Sequence, residues 1–109
     1  MLRILNTYIF EGLLNRAVKA VIHDVEGNQR KNLCISATGA HGLVYAKRNY
    51  EFANILRSFH LNLPDGMPAV WIGKLKGAKE MDRCYGPDFF KETISTSKEK
   101  NIKHYINNI

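Results

Sequence analysis

Twice in this chain a short apolar run passes straight into a glycine- or proline-bearing turn and then into residues at helical spacing. Leu33-Cys34-Ile35-Ser36-Ala37 leads into Thr38-Gly39-Ala40-His41-Gly42 and a helical segment from Leu43. Phe59-His60-Leu61-Asn62-Leu63 leads into Pro64-Asp65-Gly66-Met67-Pro68 and a helix over Ala69–Lys76, closed by Gly77. Between the two, Tyr50–Ser58 repeats at helical spacing through Phe52, Ile55 and Leu56. Apolar strands that alternate with helices pair in parallel and need a helix on each face. The alternation predicts an α/β layered domain with a mostly parallel sheet.

The rest of the chain is read against that pattern. Residues 2–9 are rich in strand formers and predict one short first strand. Phe10, Leu13, Leu14, Ala17, Val18, Val21 and Val25 fall on one helical face, with Gly27-Asn28 as a stop signal. A polar stretch, residues 28–32, leads to the next strand. Asp88 is placed as the N-cap or first-turn acid of a helix from Phe89 towards Lys100. Ile102–Ile106 has strand character. The chain stops where another strand–helix unit is expected, so residues 1–109 read as a single, incomplete N-terminal portion of a larger domain. An unfinished sheet exposes an apolar edge, a route to pairing with a second copy or a complementary chain.

Composition narrows the function classes. With 109 residues, 45% of them apolar, the chain suits one small core and excludes a two-domain enzyme or a disordered tail. Its net charge of +6 points to an anionic partner: a phosphate-bearing ligand, a membrane surface or nucleic acid. Cys34 and Cys84 are too few for a disulfide framework and are expected as buried thiols in a reducing compartment. No apolar run reaches the roughly 18 residues of a membrane span, and Met1–Asn6 is no leader peptide. The expected location is cytoplasmic, free or peripheral at a membrane.

Asp65 is the leading candidate for chemistry. It follows a predicted strand, where α/β sheets gather their ligands, and lies between Pro64 and Gly66, which shape the turn. A carboxylate held there can take a proton from a hydroxyl nucleophile. It can equally serve as the N-cap of the helix that starts near Met67, and the sequence leaves both roles open. Thr38, Gly39 and His41 share the other strand–helix loop, where glycine admits backbone N–H groups to a phosphate and His41 can donate or shuttle a proton. Turn formation alone also accounts for that run. Lys74, Lys76, Lys79 and Arg83 form either a solvated helix end or a clamp on a diphosphate, for which the arginine fork suits best. His23, His41, His60 and His104 lack metal-ligand spacing, no Gly-x-Ser-x-Gly supports a serine nucleophile, and no aromatic-basic signature supports nucleic-acid binding.

Two blocks carry a family resemblance. Pro64-Asp65-Gly66-Met67-Pro68-Ala69-Val70-Trp71-Ile72-Gly73-Lys74-Leu75-Lys76-Gly77 and Arg83-Cys84-Tyr85-Gly86-Pro87-Asp88-Phe89-Phe90 resemble the WecG/TagA/CpsF family of bacterial glycosyltransferases. The Thr38–Gly42 loop is similar to that of its exopolysaccharide-type members. The resemblance spans about residues 33–106. It implies a Rossmann-like domain that transfers a sugar from a UDP-sugar donor to a polyprenyl-diphosphate-linked acceptor at the inner face of the cytoplasmic membrane. The products would be exopolysaccharide, teichoic acid linkage units or common antigen. It further implies inversion without an obligatory metal or other cofactor. Asp65 would be the general base and Arg83 the neutraliser of diphosphate charge, with Thr38, Gly39, His41 and Gly66 around the substrate. Ala37 and Gly39 stand where many members have a Thr-x-Asn motif, and Lys74 stands where arginine is frequent.

Three readings follow: a transferase domain with little or no turnover as the isolated chain, a non-catalytic module that binds an anionic ligand or partner, and a nucleic-acid binder that rests on charge alone.

Overall fold

Residues 1–27 and 32–105 are described by a computed structural model, in which the two apolar runs form one parallel pair. The strands here called β3, Ile35–Thr38, and β4, Leu61–Pro64, pair with Ile35 opposite Leu61 and Thr38 opposite Pro64. The connection runs through α2, Ala40–Arg48, and α3, Tyr50–Ser58. Asn49 separates these helices: its extended backbone ends α2, and its side-chain oxygen accepts the Phe52 N–H at 3.0 Å to cap α3. Tyr45 and Phe52 pack edge-to-face across the joint, with ring centroids 4.9 Å apart.

Before the parallel pair come a hairpin, β1 (Leu2–Ile4) and β2 (Thr7–Ile9), and the helix α1, Leu14–Glu26. Residues 2–9 thus form two antiparallel strands where the sequence predicts one. The turn residues Leu5 and Asn6 both have positive φ, 47° and 68°, which is the two-residue turn that matches strand twist. Asn6 adopts that conformation readily and its side-chain oxygen accepts a 2.6 Å bond from Arg3. Leu5 does so at a cost, offset by packing on the core. The first helix starts later than its apolar spacing suggests: Phe10 and Leu13 precede it, Ile22 is buried, and Val25 is exposed.

β4 is the most buried strand. Leu61 and Leu63 pack with Ala17, Cys84, Leu14 and Phe89, so α1 and the last helix, α5 (Gly86–Lys98), cover one face. Asn62 points to the opposite face and is nevertheless 2% exposed, because every polar atom of its amide is used. Its oxygen accepts from Ser36 at 2.6 Å, and its nitrogen donates to the Leu56 carbonyl at 2.9 Å and the Tyr8 carbonyl at 3.2 Å. One side chain thus ties sheet, α3 and hairpin together. On the same side, Ile4 and Ile9 of the hairpin meet Leu43 of α2, Ala69 of α4 (Met67–Leu75) and Met81.

The architecture is a mixed α/β layered domain, as the alternation predicts, with a parallel sheet of two strands among the described residues. Ile102–Tyr105 does not form the expected strand. Asn101 has a positive φ that ends the α5 region, and His104 instead meets the Ser97 hydroxyl at 2.5 Å. Residue 106, Asn107-Asn108-Ile109, Asn28 of the helix-stop signal and most of the 28–32 stretch lie outside the described residues. Cys84 is buried as expected, whereas Cys34 is exposed, because it precedes the covered part of β3.

Candidate active site

Both strand–helix loops open at the carboxyl ends of β3 and β4, and they touch. The Asp65 N–H donates to the Thr38 carbonyl at 3.1 Å, extending the ladder one step past the strands. A Cβ on Gly39 would lie 2.7 Å from the Asp65 carbonyl oxygen, so only glycine lets the loops come this close. Gly66 turns the chain into α4 at φ +137°, a conformation side chains disfavour. The two glycines of the sequence motifs therefore do separate jobs: one permits contact, the other a turn.

Gly66, not Asp65, is the N-cap of α4, and no side chain caps that helix. The Asp65 carboxylate instead turns to the segment between α4 and α5. Its Oδ1 lies 3.7 Å from an Arg83 guanidinium nitrogen, with the side chain 27% exposed. The arginine guanidinium lies 4.6 Å from the centre of the Tyr85 ring, and the Arg83 backbone N–H donates to Asp82 Oδ1 at 2.7 Å. The next residue anchors the segment to the sheet, since the Cys84 N–H donates to the Pro64 carbonyl at 2.7 Å. Gly86 closes the far side, where an added Cβ would stand 4.0 Å from Asp65 Oδ2 and 3.4 Å from the Ala37 Cβ.

Other expected site residues are placed differently. Thr38 is buried, with its hydroxyl 2.7 Å from that of Ser36. Because Ser36 gives its proton to Asn62, Thr38 must donate to Ser36, and its hydroxyl is turned into the sheet. His41 is exposed in the first turn of α2, which begins at Ala40 rather than after Gly42. The four-cation clamp is divided. Lys76 Nζ donates to the Arg3 carbonyl at 3.1 Å, and α4's length puts its lysines roughly 12 Å from Asp65, leaving Arg83 alone beside the carboxylate. Tyr85 and Gly86 were not singled out from sequence. An aromatic two residues after a motif arginine, and a glycine at the start of a helix, are the signals that pick them out.

Cys84 is buried, which pushes its thiol up to about 11, and the Asp82 and Asp65 carboxylates push it the same way, so the thiol stays protonated near neutral pH. A cavity of about 700 Å³ lies at the other end of β4 against Leu61 and is lined by Glu11, Arg16, Lys79 and Glu80. A smaller one of about 390 Å³ shares Gly86 with the Asp65 site. It runs between Ala37 and Leu63 of the sheet and Phe89, Phe90 and Ile94 of α5. Proximity to the carboxylate makes the smaller cavity the relevant one.

The arrangement is a partly buried carboxylate beside a guanidinium stacked on Tyr85, at the mouth of a parallel sheet. The family described as "Glycosyl transferase WecG/TagA/CpsF family" matches residues 2–107. No curated protein matches the chain.

Proposed function

The chain belongs to the WecG/TagA/CpsF family of glycosyl transferases, and from that premise we propose that it transfers a sugar from a UDP-sugar to a hydroxyl of a polyprenyl-diphosphate-linked saccharide in surface polysaccharide synthesis. Asp65 acts as the general base. It takes the acceptor hydroxyl proton as that oxygen bonds to the anomeric carbon, and the bond from this carbon to the β-phosphate oxygen breaks, its electron pair leaving with UDP. A single displacement of this kind inverts the anomeric centre. Arg83 neutralises charge developing on the diphosphate, held by Tyr85 so that little reorganisation is needed. The backbone at Gly39 and Gly66 and the first turn of α2, with His41, present N–H groups to a phosphate-bearing substrate next to the carboxylate. Thr38 serves from beneath, holding the loop through Ser36.

One observation carries this reading: the Asp65 carboxylate is free of the helix amides it was positioned to cap, and it faces Arg83 instead. No helix among the described residues is long and apolar enough to cross a membrane. Turnover by the chain alone is expected to be slow, since two strands wall the site on one side. The test is sugar transfer from labelled UDP-sugars to a lipid-diphosphate acceptor, with UDP contact followed by amide shifts at Gly39, Ala40 and Gly66. Asp65→Asn should lower the residual rate by about 10²–10⁴ with UDP contact kept. Arg83→Ala should weaken UDP contact. Transfer undiminished by Asp65→Asn refutes the base, and unshifted loop amides refute the donor site.

A further inference from the structure

The Asp65–Arg83 pair is close but not closed. Asp65 Oδ1 and the nearest guanidinium nitrogen stand 3.7 Å apart, whereas a hydrogen bond between such groups measures about 2.7–2.9 Å and is often bidentate. The arginine side chain is 46% exposed and flexible enough to close that gap. What it meets instead is the Tyr85 ring, whose centre lies 4.6 Å from the guanidinium carbon. The ring is set by its backbone on both sides. The Cys84 N–H before it donates to the Pro64 carbonyl at 2.7 Å, and the Tyr85 carbonyl accepts the Phe89 N–H at 2.9 Å as α5 begins. Pro87 stiffens the first turn of that helix. A cation over an exposed ring and a half-exposed ion pair are attractions of similar size. Neither dominates, so loss of the ring tips the arginine onto the carboxylate.

We propose that Tyr85 is a positioning residue that holds the Arg83 guanidinium off Asp65. What this does for turnover rests on the transfer reaction proposed above; the contact itself does not. A carboxylate in a bidentate bridge has its lone pairs occupied and is a poor acceptor for a hydroxyl proton. The same bridge occupies the guanidinium fork that would take the donor diphosphate. Held apart by the ring, the two groups serve different parts of the substrate: Asp65 the attacking hydroxyl, Arg83 the departing diphosphate. The fraction of chains with the fork open then sets the apparent affinity for UDP.

Ligand-free nitrogen–proton spectra read the pair directly, with the Arg83 Nε–H assigned by its loss in Arg83→Lys. The native chain should show no carboxylate hydrogen bond at Arg83. Tyr85→Leu should show one, as a downfield shift that disappears when Asp65→Ala is added; a change caused only by removal of the ring current would survive that addition. UDP titration, followed at the Gly39, Ala40 and Gly66 amides, reads the consequence. Tyr85→Leu should weaken UDP binding about two- to fivefold, the population released to the closed bridge when the cation–π contact is lost. Tyr85→Phe keeps the ring and should keep the native affinity. Tyr85→Leu with Asp65→Ala should bind UDP as Asp65→Ala alone does, because the fork then has no carboxylate to close on. Circular dichroism confirms that each variant is folded. A loss that Asp65→Ala does not restore would mean that the ring touches the nucleotide itself, and would overturn the proposal. So would a native Arg83 already bonded to the carboxylate, or a Tyr85→Leu spectrum in which no such bond forms. Ligand-free spectra as expected, with no UDP contact in any variant, would sink the donor site and leave the role of the ring standing.

Discussion

Replacing Gly39 by alanine tests the contact on which the site is built. At φ −98° alanine is free of backbone strain there, so the effect isolates packing. The new Cβ would lie 2.7 Å from the Asp65 carbonyl oxygen, about 0.7 Å short of an ordinary contact. That oxygen belongs to the backbone and cannot rotate aside. Either loop must move, stretching the 3.1 Å bond from the Asp65 N–H to the Thr38 carbonyl. Overpacking of this kind costs about 1–3 kcal/mol. Alanine also removes freedom from the unfolded chain, which returns about 0.4–1 kcal/mol. The net expectation is a destabilisation of about 1–2 kcal/mol, or a Tm lower by roughly 5–10 °C for a domain of this size. Urea unfolding followed by circular dichroism reads it as a lower midpoint at unchanged slope. A variant as stable as the native chain, or more so, would refute the contact between the two loops.

Three further outcomes follow from the same geometry. Asn62→Leu keeps the volume but strands the Ser36 hydroxyl and the Leu56 and Tyr8 carbonyls, so unfolding should become easier by about 2–4 kcal/mol in the same assay. A thiol reagent near neutral pH should label exposed Cys34 quickly and Cys84 only on unfolding; equal rates would contradict the burial of Cys84. The raised Cys84 thiol also sets a pH dependence. The folded state holds its proton more tightly than the unfolded chain, so this contribution to stability is present below the ordinary value of 9.0 and is lost as pH rises through about 11. Cys84→Ser should flatten stability over that window.

Local signals carried much of this fold, and their failures have physical causes. The helix over Tyr50–Ser58 and the parallel strands were legible because apolar spacing and the flanking turns agree, while the Asn49 cap that starts the helix was not read. The hairpin was hidden because Leu5-Asn6 lacks the glycine of the usual two-residue turn, and only tertiary packing of Leu5 makes that turn affordable. Ile102–Tyr105 read as a strand from composition, but strand formers need a neighbouring edge, and here the chain folds back on Ser97. At the site, Asp65 and Gly66 could be located from sequence, while the choice between cap and base could not. The choice depends on Arg83, eighteen residues away, which arrives only because Cys84 is hydrogen-bonded to Pro64. Thr38 looked like a contact residue because its loop faces ligand space; the inward turn of its hydroxyl follows from Ser36 and Asn62.

The account turns on whether the carboxylate at the end of β4 does chemistry or holds a helix. Asp65→Ala separates these when unfolding free energy and sugar transfer are measured on the same preparation. Loss of a half-exposed ion pair costs at most about 1 kcal/mol, so the variant should unfold nearly like the native chain while transfer vanishes. Destabilisation by about 1–2 kcal/mol with transfer retained is the signature of a lost cap, and would contradict the account.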